Sequence, residues 1–281
     1  MFLRKIISNA KRLYCRAMSS NRPLVDLAVG NDGITIMTLQ RPPVNNINLD
    51  LLQDMNEALD EIEKTESKGL IITSSSPTVF SSGLDIREIY KPDMKRAETF
   101  WRTLQEVYLR LFTSNIITAT AINGHAPAGG CLISISTEYR VMVKGESRIG
   151  FNETALGIIA PRWFIDALCH TMPVRQVELA LTTGRLFKPE EALKVGLIDE
   201  LAIDKDDAIA KCKSFIQKFD GISPFCRTLS KERIREGVVK RFQERRELDV
   251  EEFLAFVRDP DLQKNLEKYI EMLKKKNIIK N

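Results

Sequence analysis

The sequence predicts an α/β domain followed by a helical C-terminal region. Strand and helix patterns alternate from Gly33 to Val143, whereas strand patterns largely stop after Pro161 and helical patterns dominate from there. Such alternation is typical of a sheet with helices packed against it around one core. The 281 residues, of which 43% are hydrophobic and 28% charged, suffice for one large core and argue against a disordered chain.

Four segments of the first region have strand patterns. Apolar side chains alternate in residues 33–39, and residues 70–73, 116–122 and 139–143 are short apolar or β-branched runs. Short apolar runs of this kind are typical of strands that are buried in a sheet. We therefore expect these four segments to form neighbouring strands.

Helical patterns separate these strands. An apolar stripe begins after Asp50, which we expect to cap the helix, with Gln53 placed for a capping box. A second stripe runs from about Arg96 to Phe112. The pair Gly129-Gly130 then opens a short apolar stretch that continues to Ile135.

The last part of the chain is predicted to be helical. Pro189 and Gly196 bracket a short helix, because proline favours the first turn of a helix and glycine the position after its end. Residues 244–257 and 261–276 have the pattern of two amphipathic helices joined by Asp259-Pro260. We divide the chain into a leader, an α/β core and a helical region: residues 1–22, 23–200 and 201–281.

The leader has the composition of a mitochondrial transit peptide. Six Arg or Lys residues and three Ser residues precede the first acid, Asp26, and apolar residues recur at near-helical spacing. A secretory signal fits less well because a long apolar run is missing, and the alternative is a disordered basic arm. The C-terminal residues do not form a peroxisomal ending. The predicted location is the mitochondrial matrix.

Composition and charge exclude several classes of protein. The net charge of +4 is small and would be close to neutral without the leader, so we expect no nucleic-acid partner. No apolar run approaches the roughly 18 residues that span a bilayer, so we expect no integral membrane association. The five Cys are scattered and only two His are present, which predicts neither a disulfide framework nor a metal site. A contact of Lys274-Lys275-Lys276 with RNA or membrane is a weaker alternative, since charge runs are usually solvated.

Three short segments are candidates for chemistry: residues 80–86, 123–131 and 151–158. The first two place glycine after a predicted strand, where α/β folds usually build their sites, and the third places a glutamate among apolar residues. Main-chain N–H groups at a glycine-rich helix start can stabilise an oxygen on which negative charge develops. The alternative is that these glycines only permit a tight turn and close helix packing.

In order and spacing, the three segments resemble the crotonase (enoyl-CoA hydratase/isomerase) superfamily over about residues 25–255. The run 123–131, taken with 152–154 and 159–161, is most similar to the mitochondrial 3,2-enoyl-CoA isomerase branch. The resemblance implies a spiral of ββα units followed by a C-terminal helical region, an acyl-CoA substrate and a homotrimer. It implies no metal, and no cofactor other than the coenzyme A of the substrate.

The resemblance also assigns the site residues. The N–H groups of Leu84 and Gly129 would form an oxyanion hole on the thioester oxygen, and Glu153 would be the catalytic group. One segment would line the coenzyme A side of the cleft: Ser82, Gly83, Leu84, Asp85 and Ile86. We interpret the Asp85 carboxylate itself as structural rather than catalytic.

The number of carboxylates favours one reaction over another. Glu153 matches one of the two hydratase glutamates, but Leu132 occupies the position of the other. Adding water commonly requires two carboxylates, whereas shifting a double bond requires one group that moves a proton from C2 to C4. The sequence therefore predicts an isomerase that converts 3-enoyl-CoA, cis or trans, to 2-trans-enoyl-CoA in the oxidation of unsaturated fatty acids.

Apolar neighbours are expected to remove water from the Glu153 carboxylate and make it a stronger base. The candidates are Phe151, Leu156, Ile158 and Ile159. Three other acyl-CoA reactions remain open as alternatives, namely hydration, thioester hydrolysis and dienoyl isomerisation. A protein that binds acyl-CoA without catalysis also remains open, since a fold does not by itself establish an activity.

Overall fold

A computed structural model describes residues 23–275 of the chain. The strands of this part are β1 (Val25–Val29), β2 (Ile34–Leu39), β3 (Gly69–Ser74), β4 (Ile117–Ile122), β5 (Ala126–Pro127), β6 (Tyr139–Val143), β7 (Ile149–Gly150) and β8 (Glu200–Ala202). Six of them form one sheet in the order β1-β2-β3-β4-β6-β8, and β5 pairs with β7. β1 and β2 are antiparallel, and the remaining neighbours are parallel.

Helices cover both faces of the six-stranded sheet. The α-helices of the described residues are α1 (Leu49–Glu63), α2 (Met94–Thr113), α3 (Gly129–Ser136), α4 (Arg162–Thr171), α5 (Val174–Thr183), α6 (Pro189–Val195), α7 (Lys205–Gln217), α8 (Pro224–Arg258) and α9 (Pro260–Lys275). Leu70 and Ile72 on β3 point into the larger core with α1, α2 and α3. Ile71 points the other way, into a smaller core under α7. Because both faces of the sheet are covered, all six residues of β3 are buried.

The α/β class and the helical C-terminal region are confirmed. The four predicted strands are present as β2, β3, β4 and β6, and the short helix between Pro189 and Gly196 is α6. β1 was not predicted, because only its first residue, Val25, is buried and its apolar pattern is weak. β8 spans the predicted boundary at residue 200 and pairs with β6, so the sheet continues to Ala202.

The predicted cap of α1 was wrong. The helix begins at Leu49, and the side chain of Asn48 accepts a hydrogen bond from Leu51 N at 3.0 Å. Asp50 lies inside the first turn, where its carboxylate accepts from Asn48 Nδ2 at 2.9 Å and pairs with Arg96 at 3.3 Å. Asn48 is the better cap because its oxygen reaches the free N–H groups of the first turn from outside the helix.

The first C-terminal helix begins twenty residues earlier than predicted, at Pro224 rather than Glu244. The inward stripe of its first half is cationic, because Arg227 and Lys231 pair with Glu138 and Arg235 donates to the carbonyl of Phe112. The stripe becomes apolar only at Val238 and Phe242, which are buried. A search for apolar periodicity therefore finds the second half of α8 and misses the first.

Some predictions fall outside the described residues. The leader, residues 1–22, and the terminal position Lys276 belong to this group, and so do the side chains of Lys274 and Lys275. Among residues 23–275, none of the helices combines the length and the apolar composition needed to cross a bilayer.

Candidate active site

The segment that follows β3 pairs with the loop between β2 and α1. Ile47 N donates to Gly83 O at 2.8 Å, and Asp85 N donates to Ile47 O at 2.8 Å. In an extended segment, successive N–H groups point to opposite sides. Because Gly83 O and Asp85 N both face Ile47, the N–H of Leu84 must point away from that loop.

The start of α3 lies close to Leu84. A Cβ placed on Gly129 would lie 2.9 Å from Leu84 Cδ2 and 3.3 Å from Leu84 N. Gly83 has a positive φ of 95°, and a Cβ there would lie 3.4 Å from Gly129 N. The two main chains therefore approach so closely that a side chain at either position would be crowded.

The N–H groups of Leu84 and Gly129 have no partner among residues 23–275. Gly129 is the first residue of α3, where N–H groups have no acceptor within the helix. Ala128 before it has a positive φ of 49°, and its N–H is held by Gly150 O at 2.8 Å. The structure thus brings the two predicted donors together and leaves both free to bind an oxygen, with the positive end of a helix behind one of them.

Glu153 lies immediately before a 3₁₀ turn, Thr154–Leu156. Its carbonyl accepts from Leu156 N and Ile158 N, both at 2.9 Å, which fixes the backbone from which the side chain projects. Its Oε2 is buried and has no hydrogen-bond partner among the described residues. Burial raises the pKa of Glu153 to about 7, and a hydrogen bond from its own backbone opposes this only in part.

The segment that carries Glu153 lies against the start of α3. The N–H of Ala128, directly before Gly129, donates to Gly150 O at 2.8 Å, and Gly150 is three residues before Glu153. Burial raises the pKa of the Cys131 thiol in the first turn of α3, and the charge of Glu153 raises it further. The structure thus combines a desolvated carboxylate with two free N–H donors on adjoining segments, which is suited to moving protons next to a carbonyl.

Of the four apolar residues predicted to shield Glu153 from water, two are themselves exposed. Phe151 is buried, with its ring centroid 5.3 Å from that of Phe164. Leu156 and Ile159, by contrast, are 38% and 80% exposed. Leu132, at the position where hydratases carry their second glutamate, is also buried.

The remaining predicted residues of the 82–86 segment have different surroundings. The Oγ of Ser82 is buried without a partner among residues 23–275, whereas Ile86 begins a 3₁₀ turn, Ile86–Glu88. The Asp85 carboxylate is held by Arg41 and Arg87. A polar cavity of about 270 Å³ lies beside it, lined by Arg41, Asn48, Asp50, Asp85, Arg87, Glu88 and Arg96.

The sequence analysis did not identify the loop that holds this segment in place. Asn45 is almost fully buried at a positive φ of 50°, and its Nδ2 donates to Ser74 Oγ at 2.7 Å and to Phe80 O at 3.0 Å. The available signal was the asparagine-rich run Asn45-Asn46-Ile47-Asn48, which follows Pro42-Pro43-Val44 between a strand and a helix. Within the described residues, no group of three or more His, Cys, Asp or Glu is arranged to hold a metal ion.

Comparison with known proteins identifies the family to which the chain belongs. The sequence model of the enoyl-CoA hydratase/isomerase family matches residues 30–277. The chain therefore belongs to the enoyl-CoA hydratase/isomerase family. Two curated members carry the name enoyl-CoA delta isomerase 1, mitochondrial: the Mus musculus protein is 40% identical over 93% of this chain and 90% of its own length. The Homo sapiens protein is 38% identical over 92% of this chain and 86% of its own.

A solved structure of the family has the same fold. The crystal structure of human mitochondrial delta3-delta2-enoyl-CoA isomerase superposes with a TM-score of 0.86 at 36% identity. The match covers 90% of this chain and 99% of the human one. The crotonase-like architecture expected from the three sequence segments is thereby confirmed, including its C-terminal helical region.

Proposed function

We propose that this chain is an enoyl-CoA isomerase that converts 3-enoyl-CoA, cis or trans, to 2-trans-enoyl-CoA. The observation that carries the proposal is the buried Oε2 of Glu153, which has no partner among the described residues, on a segment whose Gly150 O binds the N–H of Ala128, directly before Gly129. The two relatives named above are delta isomerases, and they match this chain over nearly its whole length. The proposed place of the reaction is the oxidation of unsaturated fatty acids.

The reaction begins with the thioester oxygen accepting hydrogen bonds from Leu84 N and Gly129 N. These donors stabilise the negative charge that develops on the oxygen when a proton leaves C2, and one such donor is typically worth about 3 to 4 kcal/mol. The ionised Glu153 removes the C2 proton, and the electrons spread over a dienolate from the oxygen to C4. Glu153 then returns the proton to C4, which leaves the new double bond between C2 and C3.

The balance of this reaction explains why one carboxylate is sufficient. One proton leaves C2 and one arrives at C4, so no water is consumed and no electrons are gained or lost overall. We propose accordingly that no metal or redox cofactor takes part and that coenzyme A enters only as part of the substrate. A carboxylate with a pKa of about 7 is suited to both half-reactions, because it accepts and releases the proton with similar ease.

Hydration is the second candidate, and the surroundings of Glu153 disfavour it. A second carboxylate would be needed near the substrate to activate water, and Leu132 stands where hydratases carry it. The buried carboxylates of Asp85 and Glu88 are engaged by Arg87 and Arg96 at 2.7 Å. Neither is available as a general base in this arrangement.

The proposed setting is the mitochondrial matrix, and the proposed assembly is a homotrimer. The relatives bear mitochondrial names, and the basic leader is the feature of this chain that supports the same compartment. Large apolar side chains remain exposed in the single chain beside the site and at the start of α8: Leu156, Ile159, Ile222 and Phe225. We propose that these surfaces meet other copies of the chain, because exposed apolar groups of this size are typical of contact surfaces.

The proposal is tested by incubating the purified protein with 3-cis-hexenoyl-CoA and measuring the conjugated 2-trans product. Crotonyl-CoA hydration is measured in parallel. Glu153→Gln should bind acyl-CoA but lose roughly a hundred- to ten-thousand-fold in isomerisation. The matched control is Glu146→Gln, which alters an exposed glutamate paired with Lys188 and should leave the rate unchanged.

Each outcome of this experiment has a distinct meaning. Isomerisation well above hydration, abolished in Glu153→Gln, supports the single-glutamate mechanism. Faster hydration would mean that a second acid acts in the site. If the protein binds acyl-CoA and catalyses neither reaction, it is a binding protein and the proposal is wrong.

A further inference from the structure

We propose that Asp85 and Arg41 form a positioning pair that sets the direction of the Leu84 N–H without contacting the substrate. The inference rests on the proposed function, in which this N–H is one donor of the oxyanion hole. It assigns a different role to a residue whose position alone suggested a substrate contact.

The Asp85 carboxylate is buried and its hydrogen bonds are already made. Its side chain is 4% exposed, and Oδ2 lies 3.0 Å from Arg41 Nη2 and 2.7 Å from Arg87 Nη2. Oδ1 accepts from Arg87 Nε at 3.0 Å and from Arg87 N at 3.1 Å. Four donors on two oxygens leave little capacity for a ligand group.

Arg41 connects this carboxylate to the opposite loop. Its Nη2 holds Asp85, while its Nη1 donates to the carbonyl of Asn46 at 3.0 Å. Asn46 directly precedes Ile47, the residue whose N–H and carbonyl bind Gly83 and Asp85. One guanidinium group therefore joins the two loops at the point where they pair, and its planar shape fixes their relative position.

The pairing determines where the Leu84 N–H points. Leu84 lies between Gly83, whose carbonyl accepts from Ile47 N at 2.8 Å, and Asp85, whose N–H donates to Ile47 O at 2.8 Å, and these two bonds hold its peptide in orientation. The ion pair adds a side-chain link between the two loops to these main-chain bonds, so the segment should rotate more easily when the pair is lost. A displacement of about 1 Å in a catalytic group can cost on the order of a hundredfold in rate.

The charges around the pair argue against a separate anion site. The polar cavity beside Asp85 contains three arginines and three carboxylates, which balance each other. Burial raises the pKa of Asp85, but hydrogen bonds from Arg87 and the charges of Arg87 and Arg41 outweigh this and lower it. The carboxylate therefore stays ionised, as a fixed partner of Arg41 requires.

The test compares two ligands that differ only in the carbonyl. Hexanoyl-CoA presents a thioester oxygen to the hole, whereas S-hexyl-CoA is a thioether and has none. In Asp85→Asn, we expect the Kd of hexanoyl-CoA to rise about tenfold and that of S-hexyl-CoA to change less than about twofold, both by calorimetry. The kcat of isomerisation should fall about ten- to a hundredfold, with a smaller change in KM.

Asp32→Asn is the matched control. Asp32 also accepts from a backbone N–H two residues on, Ile34 N at 3.1 Å, and it also pairs with a cation, Lys213 Nζ at 2.7 Å. It lies in the turn between β1 and β2, at the end of the sheet opposite the paired loops. Its substitution should leave kcat and both Kd values unchanged.

A second variant keeps the inference testable if Asp85→Asn does not fold. Arg41→Met leaves the pair between Asp85 and Arg87 intact and should show the same loss of thioester preference, with partial recovery in Arg41→Lys. Equal weakening of both ligands would mean that Asp85 contacts coenzyme A and would overturn the inference. Unchanged kcat and Kd values in both variants would also overturn it. Absence of turnover in the wild-type protein contradicts the proposed function instead, and the ligand comparison still tests the pair.

Discussion

The indole Nε1 of Trp101 donates to Asp249 Oδ2 at 2.7 Å, which joins α2 to α8 inside the core. The same oxygen accepts from Gln105 Nε2 at 2.7 Å and from Trp163 Nε1 at 3.0 Å. Asp249 is buried, and burial raises its pKa although the three donors oppose this. The Asp249 carboxylate therefore accepts hydrogen bonds from buried donors on two helices, α2 and α4.

Replacing Asp249 should destabilise the fold according to whether an acceptor remains. Asp249→Asn keeps an amide oxygen and should cost about 1 kcal/mol, while Asp249→Leu leaves the two buried indole N–H groups without an acceptor and Gln105 Nε2 with only Arg246 O at 3.3 Å, and should cost at least about 3 kcal/mol. Urea unfolding at one protein concentration measures both. Equal stability of the Asn and Leu variants would show that the hydrogen bonds do not hold α8 in place.

The sequence was most informative where the structure depends on local pattern. β3 and β4 are buried on both faces, so their apolar runs predicted them directly, and the three segments of the site were found as motifs. Pairing of Ile47 with the Leu84 segment was not predictable, because it joins residues that are distant along the chain and has no periodic signal. The burial of Glu153 depends on the packing of several elements around its side chain. The cationic half of α8 was missed because its inward residues pair with Glu138 and with main-chain carbonyls.

Gly129→Ala should retain the fold and lose much of the activity. The new Cβ would lie 2.9 Å from the side-chain ends of Ile47 and Leu84, which can move, but 3.3 Å from Leu84 N, which is part of the hole. We expect kcat to fall about ten- to a hundredfold. Gly237→Ala in the exposed part of α8 is the control, since its Cβ would meet no atom closer than 3.5 Å. It should stabilise the protein by about 0.5 to 1 kcal/mol without changing kcat.

Gly130→Ala, one position further along α3, should destabilise the fold. A Cβ on Gly130 would lie 2.6 Å from Ser81 O, a main-chain atom that cannot move independently. Gly130→Ala is therefore expected to lower the thermal midpoint more than Gly129→Ala does. The reverse order would show that the approach of α3 to residues 81–84 is less rigid than the structure indicates.

Glu153→Gln should be more stable than the wild-type protein at high pH and not at low pH. The pKa of Glu153 rises from about 4.5 to about 7 on folding, so the folded state binds the proton more tightly between these values. The wild-type protein therefore loses stability as the pH rises through this window, and the loss is complete above about pH 7. Glutamine carries no charge, so the variant should gain about 3 kcal/mol at pH 8 relative to the wild-type protein. Urea unfolding at pH 4 and pH 8 checks this, and a pH-independent difference would contradict the raised pKa.

Self-association should depend on the exposed apolar residues beside the site and at the start of α8. Ile159 and Phe225 are 80% and 75% exposed in the single chain, and burying each against another copy contributes roughly 1.5 to 3 kcal/mol. Ile159→Ser and Phe225→Ser should therefore each shift the proposed trimer toward smaller species, measured by light scattering after size-exclusion chromatography. Val29→Ser is the control, because Val29 is 66% exposed on the edge strand β1 and lies on neither surface. A trimer that persists in both variants, or that dissociates equally in the control, would place the contact elsewhere.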